Sequence, residues 1–450
     1  MQRQHRPGLG PRRDRPAAER QQLPLPGHPQ QHHDQRNRGH AVDLLGEGPA
    51  VALVTGQRPS GAPRPIYLTT FLTLVAALLA ALLVSPDSAS AAGVSDVRTV
   101  HTNQETEGDG PRVPDIISTS ANNAVVAWRE GTLPGRVDEG YIRYSYTTDG
   151  GAKWSHPKVL AQETSEYLWH YVTLYQVGDE LFAYLGRTPV LDDSETDGDG
   201  NNDNGLPIND IVVKRSTDQG HTWQDYAVDM PLDDPATAAD EGLGNLAFAG
   251  RPLQLANGDH VMPYWASGRE NGVLYSTDLK KWVARPAIPD PNKYMGGEPQ
   301  LTVSQDDPNK LVMVARSNYA VSKVSAVTAT SADGGLSWTD WALDSNVPSN
   351  DSKVFFTTDS AGRYLTIANT SLDASAYRKV LNYKVKSPGK AWGAAKLFAD
   401  GPADDPTPAG TGAGWDTYPM ADEYAPGKFF VVWEHDTSAI KVSRLDISDT

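Results

Sequence analysis

Oxygen-bearing side chains alternate with small residues in one short segment, residues 197–203. Calcium takes six to eight hard oxygen ligands, commonly from a flexible loop, and this spacing suits that requirement. An EF-hand loop would also place a bidentate glutamate at its twelfth position, and this segment has none. The pattern therefore leaves open a calcium site or a solvated acidic insertion. The ligands in the first case would be Asp197, Asp199, Asn201 and Asp203.

Composition excludes several other chemistries. The chain has no cysteine, which rules out disulfides, thiolate metal sites and a cysteine nucleophile. A formal net charge of −16 argues against nucleic acid or an anionic membrane as a partner. The remaining candidates for chemistry are arginine, tyrosine, histidine and carboxylate side chains, and their meaning depends on the elements that position them.

The N-terminal part of the chain differs from the rest. Residues 66–84 are almost entirely apolar and are followed by the small residues Ala89, Ser90 and Ala91. This pattern predicts a secretory signal over residues 66–91 and a secreted protein, with an uncleaved membrane anchor as the alternative. Residues 1–65 are of low complexity, and we expect them to be disordered or untranslated. Residues 92–450 are left to form the folded domain.

A short motif recurs in this domain: Ser or Thr, then Asp two residues later, a Gly, and a closing Trp. Full copies occupy residues 147–154, 216–223 and 331–338; residues 276–282 are one residue shorter, and residues 387–392 have lost the Asp. The Asp would cap backbone N–H groups, the Gly would take positive φ, and the Trp would pack over the turn. The motif, known as an Asp-box, therefore predicts a structural hairpin.

The spacing of the boxes indicates the architecture. Successive closing tryptophans are separated by about the length of one four-stranded blade. Six short apolar runs lie between the boxes: residues 124–128, 181–185, 260–264, 311–315, 364–368 and 429–433. These patterns predict an all-β, six-bladed β-propeller with Asp-box hairpins. A strand near residues 95–101 would pair with the last blade and close the ring.

Further motifs in this order resemble the bacterial sialidases (neuraminidases), over essentially all of residues 95–448. Arg112-Val113-Pro114 resembles the motif that opens the first blade of that family. The other matches are Gly297-Glu298-Pro299, Arg316, Arg378, Trp415-Asp416-Thr417-Tyr418-Pro419 and Trp433-Glu434. The resemblance implies a sialidase-like propeller that hydrolyses terminal sialic acid from glycoconjugates, acts as a monomer and requires no cofactor.

The resemblance also implies a role for each residue. Arg112, Arg316 and Arg378 would bind the substrate carboxylate, because guanidinium groups grip a carboxylate bidentately. Tyr418 would be the nucleophile, since the substrate carboxylate would repel a carboxylate nucleophile. Glu298 would be its base and Glu434 would brace Arg112. Asp138, on a loop of the first blade, would be the general acid, and Glu139 competes for that role.

Propeller geometry predicts that these residues crowd one end of the central channel, because they stand where first strands begin or second strands end. Trp169, His170 and Arg251 stand at first-strand starts, so we expect them to line the same pocket, although the family offers no counterpart. Two alternatives remain open: another exo-glycosidase or polysaccharide lyase acting on an acidic sugar, and a non-catalytic glycan-binding propeller.

Overall fold

The computed structural model describes residues 93–103, 110–131, 140–164, 167–189, 210–231, 246–266, 271–318, 320–350, 352–370, 378–400 and 415–450. Regular structure in these ranges is entirely β. The described residues include no helix suited to crossing a membrane. The predicted N-terminal extension and signal segment lie outside them.

The strands form six antiparallel sheets, and each sheet is one blade. Blade one contains β1 of the ring proper only through its neighbour, so the strands are given blade by blade in chain order. After β1 (Val94–Thr102), blade one has β2 (Pro111–Ser118), β3 (Ala124–Glu130), β4 (Tyr141–Thr147) and β5 (Lys158–Ala161). Blade two has β6 (Tyr167–Val177), β7 (Glu180–Pro189), β8 (Asp210–Ser216) and β9 (Gln224–Tyr226). Blade three has β10 (Leu246–Ala247), β11 (Leu253–Gln254), β12 (His260–Ala266), β13 (Asn271–Ser276) and β14 (Val283–Ala284).

The second half of the ring repeats this arrangement. Blade four has β15 (Met295–Val303), β16 (Leu311–Ser317), β17 (Ser325–Ser331) and β18 (Ala342–Pro348). Blade five has β19 (Phe355–Thr358), β20 (Tyr364–Asn369), β21 (Val380–Lys386) and β22 (Lys396–Asp400). Blade six has β23 (Asp416–Ala425), β24 (Lys428–His435) and β25 (Ala439–Asp446). The prediction of an all-β, six-bladed propeller is confirmed.

The ring closes through the first strand of the chain. Strand β1 pairs antiparallel with β25, so that Val94 lies opposite Leu445 and Thr102 opposite Ala439. It therefore supplies the fourth strand of blade six. The closing strand predicted near residues 95–101 is confirmed. Backbone hydrogen bonds between the two ends of the domain hold the last blade to the first.

Apolar packing between blades forms the core. All six predicted apolar runs lie in the second strand of a blade, and clusters of their side chains fill the spaces between adjacent sheets. Trp128, at the end of β3, is fully buried and stacks on His101 at 5.2 Å between ring centroids. Burial of a large apolar side chain contributes about 1.5–3 kcal/mol, so these interfaces stabilise the ring without any disulfide.

The Asp-boxes connect the third and fourth strands of their blades. In the full copies the Ser or Thr hydroxyl bonds the Asp carboxylate at 2.7–2.9 Å, and the carboxylate accepts a backbone N–H four residues later at 2.9 Å. The second glycine takes positive φ, as at Gly151 (86°) and Gly335 (95°). The predicted hairpin is confirmed. Its turns lie on the face opposite the starts of the first strands.

Candidate active site

The first strands of four blades share one irregularity near their N-terminal ends. In β2, for example, Arg112 pairs with Arg129 and Asp115 with Ala127, so two residues oppose one. This is a β-bulge, which re-aims side chains and interrupts pairing. Strands β6, β15 and β23 have the same two-against-one register. The bulged pairs are Val113-Pro114, His170-Tyr171, Glu298-Pro299 and Tyr418-Pro419.

Backbone strain is concentrated at these bulges. Val113, Glu298 and Tyr418 have φ of 48°, 59° and 52°, and Arg378 has φ of 56°. Non-glycine residues rarely adopt this region, and each such residue costs about 1–3 kcal/mol. Because the first strands of neighbouring blades contact each other around the channel, the strain lies at one end of that channel. Strain of this kind often marks a site where side-chain placement matters more than stability.

Arg112 and Glu434 form a buried ion pair across blades one and six. Arg112 Nε lies 3.2 Å from Glu434 Oε2. The other carboxylate oxygen, Oε1, accepts the backbone N–H of Val113 at 2.5 Å. Both side chains are buried, so one carboxylate fixes both the guanidinium and the strained backbone beside it. The structure thus brings together the residues predicted to be a substrate-binding arginine and its brace.

Arg316 and Glu298 form a second pair within blade four. Arg316 Nε lies 3.2 Å from Glu298 Oε2. The glutamate is only 1% exposed, whereas the arginine remains half-buried. An ion pair of this kind fixes one nitrogen of the guanidinium and leaves others to bind an anion. The carboxylate predicted to be the base is therefore next to the arginine predicted to bind substrate.

Tyr418 lies between two cations. Its ring centroid is 5.5 Å from Arg378 Cζ and 5.6 Å from Lys353 Nζ. Arg378 also lies over the Trp415 ring, at 5.1 Å. The tyrosine is 8% exposed. A phenol needs a positive field to react as a nucleophile at neutral pH, because its ordinary pKa is near 10. This arrangement supplies such a field.

Lys353 was missed by sequence analysis. It is 1% exposed, and Asp115, Glu298 and Glu434 all act on it electrostatically. Burial lowers its pKa, and the three carboxylates oppose that shift. Lys353 stands two residues before β19, as Glu298 stands two residues before the first pair after the bulge in blade four. Aligning the blades on their first strands would have found it.

Arg251 lies deeper in the channel than predicted. Its Nε is 3.1 Å from Asp115 Oδ1, and its Nη1 is 2.8 Å from both Asp422 Oδ1 and the Ala421 carbonyl. Its Nη2 bonds Asp115 and the Ile116 carbonyl. These contacts join blade three to blades one and six. Its guanidinium is committed to protein oxygens, so it seals the channel beneath the pocket rather than facing a substrate.

Trp169 and His170 are adjacent but differ in surroundings. Trp169 is 7% exposed, belongs to the apolar cluster between blades one and two, and donates its indole N–H to the Gln162 carbonyl at 2.9 Å. It is therefore a core residue, in contrast to the prediction that it lines the pocket. His170 occupies the bulge and is half-buried, with its ring 6.5 Å from that of Tyr171. Its predicted substrate contact stays a prediction.

The remaining predicted residues lie outside the described part of the chain. They are Asp138, the predicted general acid, and the predicted calcium ligands Asp197, Asp199, Asn201 and Asp203. The described residues contain no group of three or more metal-ligating side chains. The structure thus connects Arg112, Arg316, Arg378, Glu298, Glu434 and Tyr418 around Lys353.

Comparisons with known proteins give the same architecture. A family model described as a BNR repeat-like domain matches residues 122–431. A Hadza microbial sialidase is similar in structure, at a TM-score of 0.60 and 15% identity over 78% of this chain and 69% of that one. A leech intramolecular trans-sialidase has a TM-score of 0.56 and 14% identity over 79% and 71%. A Dyadobacter fermentans protein of unknown function has a TM-score of 0.58 and 17% identity over 79% and 99%. No curated protein sequence matches the chain.

Proposed function

Because this chain belongs to the BNR repeat-like domain family and folds as a sialidase-like propeller, we propose that it is a secreted exo-α-sialidase. It would remove terminal sialic acid from glycans. The observation that carries the proposal is the position of Tyr418, a nearly buried phenol beside Arg378 and Lys353 in a channel that also contains two carboxylate-braced arginines.

Substrate binding would depend on Arg112, Arg316 and Arg378. Sialic acid carries a carboxylate on its anomeric carbon, and three guanidinium groups could share its two oxygens through charge-assisted hydrogen bonds. Glu434 holds Arg112 and Glu298 holds Arg316, so both guanidinium groups are oriented before substrate arrives. Preorganised donors pay little ordering cost on binding.

The chemical step would begin at Tyr418. Its oxygen attacks the anomeric carbon while its proton passes to Glu298, and the bond from that carbon to the leaving oxygen breaks. Asp138 donates a proton to the leaving oxygen. Water, activated by the now ionised Asp138, then attacks the anomeric carbon and displaces the tyrosine oxygen. A phenol suits this step because a carboxylate nucleophile would be repelled by the substrate carboxylate.

Release of the fluorophore from an aryl sialoside tests the proposal. We expect the purified protein to release it and to yield free sialic acid by mass spectrometry. A product lighter by one water would instead indicate internal transfer. Incubation with uronic acid polymers tests the lyase alternative, which would produce an unsaturated uronate that absorbs in the ultraviolet. Binding of sialosides without turnover would contradict the enzyme proposal and favour a glycan-binding propeller.

A further inference from the structure

Lys353 is a buried cation that the mechanism above does not use. It is 1% exposed, and it forms no ion pair or hydrogen bond with another described residue. Burying an ammonium group without a close partner costs several kcal/mol. A structural lysine would be expected to reach a carboxylate, as Arg112 reaches Glu434. Lys353 instead lies with its Nζ 5.6 Å from the Tyr418 ring centroid.

The backbone holds Lys353 and Tyr418 side by side. Ser352 Oγ and Thr417 Oγ1, on the preceding residues, are 2.6 Å apart and share a buried hydrogen bond. Thr417 Oγ1 also donates to Asn369 Oδ1 at 2.9 Å, and the Asn369 amide donates to the Asp416 carbonyl at 2.8 Å. This network joins blade five to blade six directly behind the two side chains. Their separation is therefore fixed by buried contacts.

The charges around Lys353 favour its ammonium form. Asp115 acts on it from β2, Glu298 from β15 and Glu434 from β24, and Arg251 opposes them. Burial lowers the pKa of Lys353, and the three carboxylates raise it. The carboxylates thus keep a positive charge next to the phenol without neutralising it through a direct ion pair.

We propose that Lys353 is an electrostatic positioning residue whose ammonium stabilises the negative charge that develops on the Tyr418 oxygen as Glu298 takes its proton. The inference rests on the proposed function, because it assigns Tyr418 as the nucleophile. A fixed charge aimed at a developing anion in a water-poor site accelerates the step without lowering the energy of the bound substrate. The bound sugar carboxylate would be held by the arginines, not by Lys353.

Lys353→Met tests the proposal because it keeps the length of the side chain and removes the charge. We expect kcat for an aryl sialoside to fall about 100-fold, with KM changed less than about threefold. We also expect the acidic limb of the kcat/KM profile to move to higher pH, because Glu298 takes up a proton more readily without the cation. Lys384→Met, on the outer part of blade five, is the matched control and should leave both unchanged.

A wild-type kcat and pH profile in Lys353→Met would overturn the inference and leave the sialidase proposal intact. A fall in kcat with no movement of the acidic limb would also overturn it, since a merely structural role would have that effect. Thermal unfolding of both variants reports whether they fold, and Lys353→Gln replaces Lys353→Met if it does not.

A second measurement needs no turnover and so separates the two proposals. Ultraviolet pH titration of the wild type minus that of Tyr418→Phe gives the ionisation of Tyr418 alone. The same difference on a Lys353→Gln background should have its midpoint at higher pH than in the wild type. Equal midpoints would overturn the inference even if the protein cleaves no sialoside.

Discussion

The two faces of the ring make tight backbone conformations from different residues. On the Asp-box face, positive φ falls on glycines such as Gly151 and Gly335. At the opposite end of the channel it falls on Val113, Glu298 and Tyr418. Glycine adopts this conformation at little steric cost, whereas the others do so with strain. The Asp-box face is therefore built for stability, and the channel end gives up stability to place particular side chains.

The largest expected effect at the channel end is the loss of turnover in Tyr418→Phe. The substitution removes the reacting oxygen and keeps the ring packed beside Arg378, so we expect kcat for an aryl sialoside to fall by about three orders of magnitude or more. The melting temperature should stay within a few degrees of the wild type. Turnover that persists at the wild-type rate would show that the strained residue has no chemical role.

Arg316→Lys should weaken substrate binding more than it slows chemistry. Lysine keeps the charge but cannot donate two parallel hydrogen bonds to a carboxylate. Loss of one charge-assisted hydrogen bond, about 1.5–3 kcal/mol, corresponds to a KM roughly 10- to 100-fold higher. Steady-state kinetics measure this directly. A fall in kcat with unchanged KM would place Arg316 in the chemical step instead.

Gly335→Ala should destabilise the protein and leave the activity of the folded fraction unchanged. A Cβ at this position would lie 2.6 Å from Val273 Cγ2, in addition to the cost of φ of 95°. Gly258→Ala is the matched control, because its φ is 91° and a Cβ there meets no atom within 4 Å. We expect overpacking to make Gly335→Ala less stable than Gly258→Ala by about 1–3 kcal/mol in denaturant unfolding.

The smallest expected effect is on acid stability. Burial opposes the charged form of Asp218, and hydrogen bonds from Thr222 and Ser216 outweigh it, so that its pKa falls to about 2. The same balance, with hydrogen bonds from Ser337 and Ser331, lowers the pKa of Asp333 to about 2. A carboxyl with a lowered pKa stabilises the fold above its unfolded value and loses that contribution as pH falls.

The Asp-box contribution should therefore be present above about pH 4 and disappear as pH falls toward about 2. In Asp218→Ala, the melting temperature should decline less steeply over that interval than in the wild type. Thermal scans at a series of pH values measure the difference. Parallel curves for the two proteins would contradict an ionised Asp-box carboxylate as a source of stability.

Sequence alone predicted the ring because its signals are local. Box chemistry occurs within eight residues, and the apolar runs repeat once per blade, so both are readable before any contact is known. The closing role of β1 followed from a blade that was one strand short. The resemblance supplied the arginines, Tyr418 and the two glutamates, which the structure connects in one cluster.

The errors in the predicted site have physical causes. A bulge changes which side chains of a strand face the channel, so neighbours in sequence such as Trp169 and His170 separate into core and channel. Arg251 is bonded by Asp115 and Asp422, whose blades lie far from it in sequence, and no local pattern reveals that pairing. Lys353 escaped notice because β19 is short and no proline follows the lysine, unlike Glu298 and Tyr418.

The pairing of β1 with β25 imposes an order on biogenesis. The strand that emerges first from the ribosome finds its partner only when the last strand has been made, so the ring cannot be completed during synthesis. Until then β25 and β1 each expose an edge that could pair with another chain. Because contacts so distant in sequence form slowly, we expect closure of the sixth blade to be the late step of folding, and the one most exposed to aggregation.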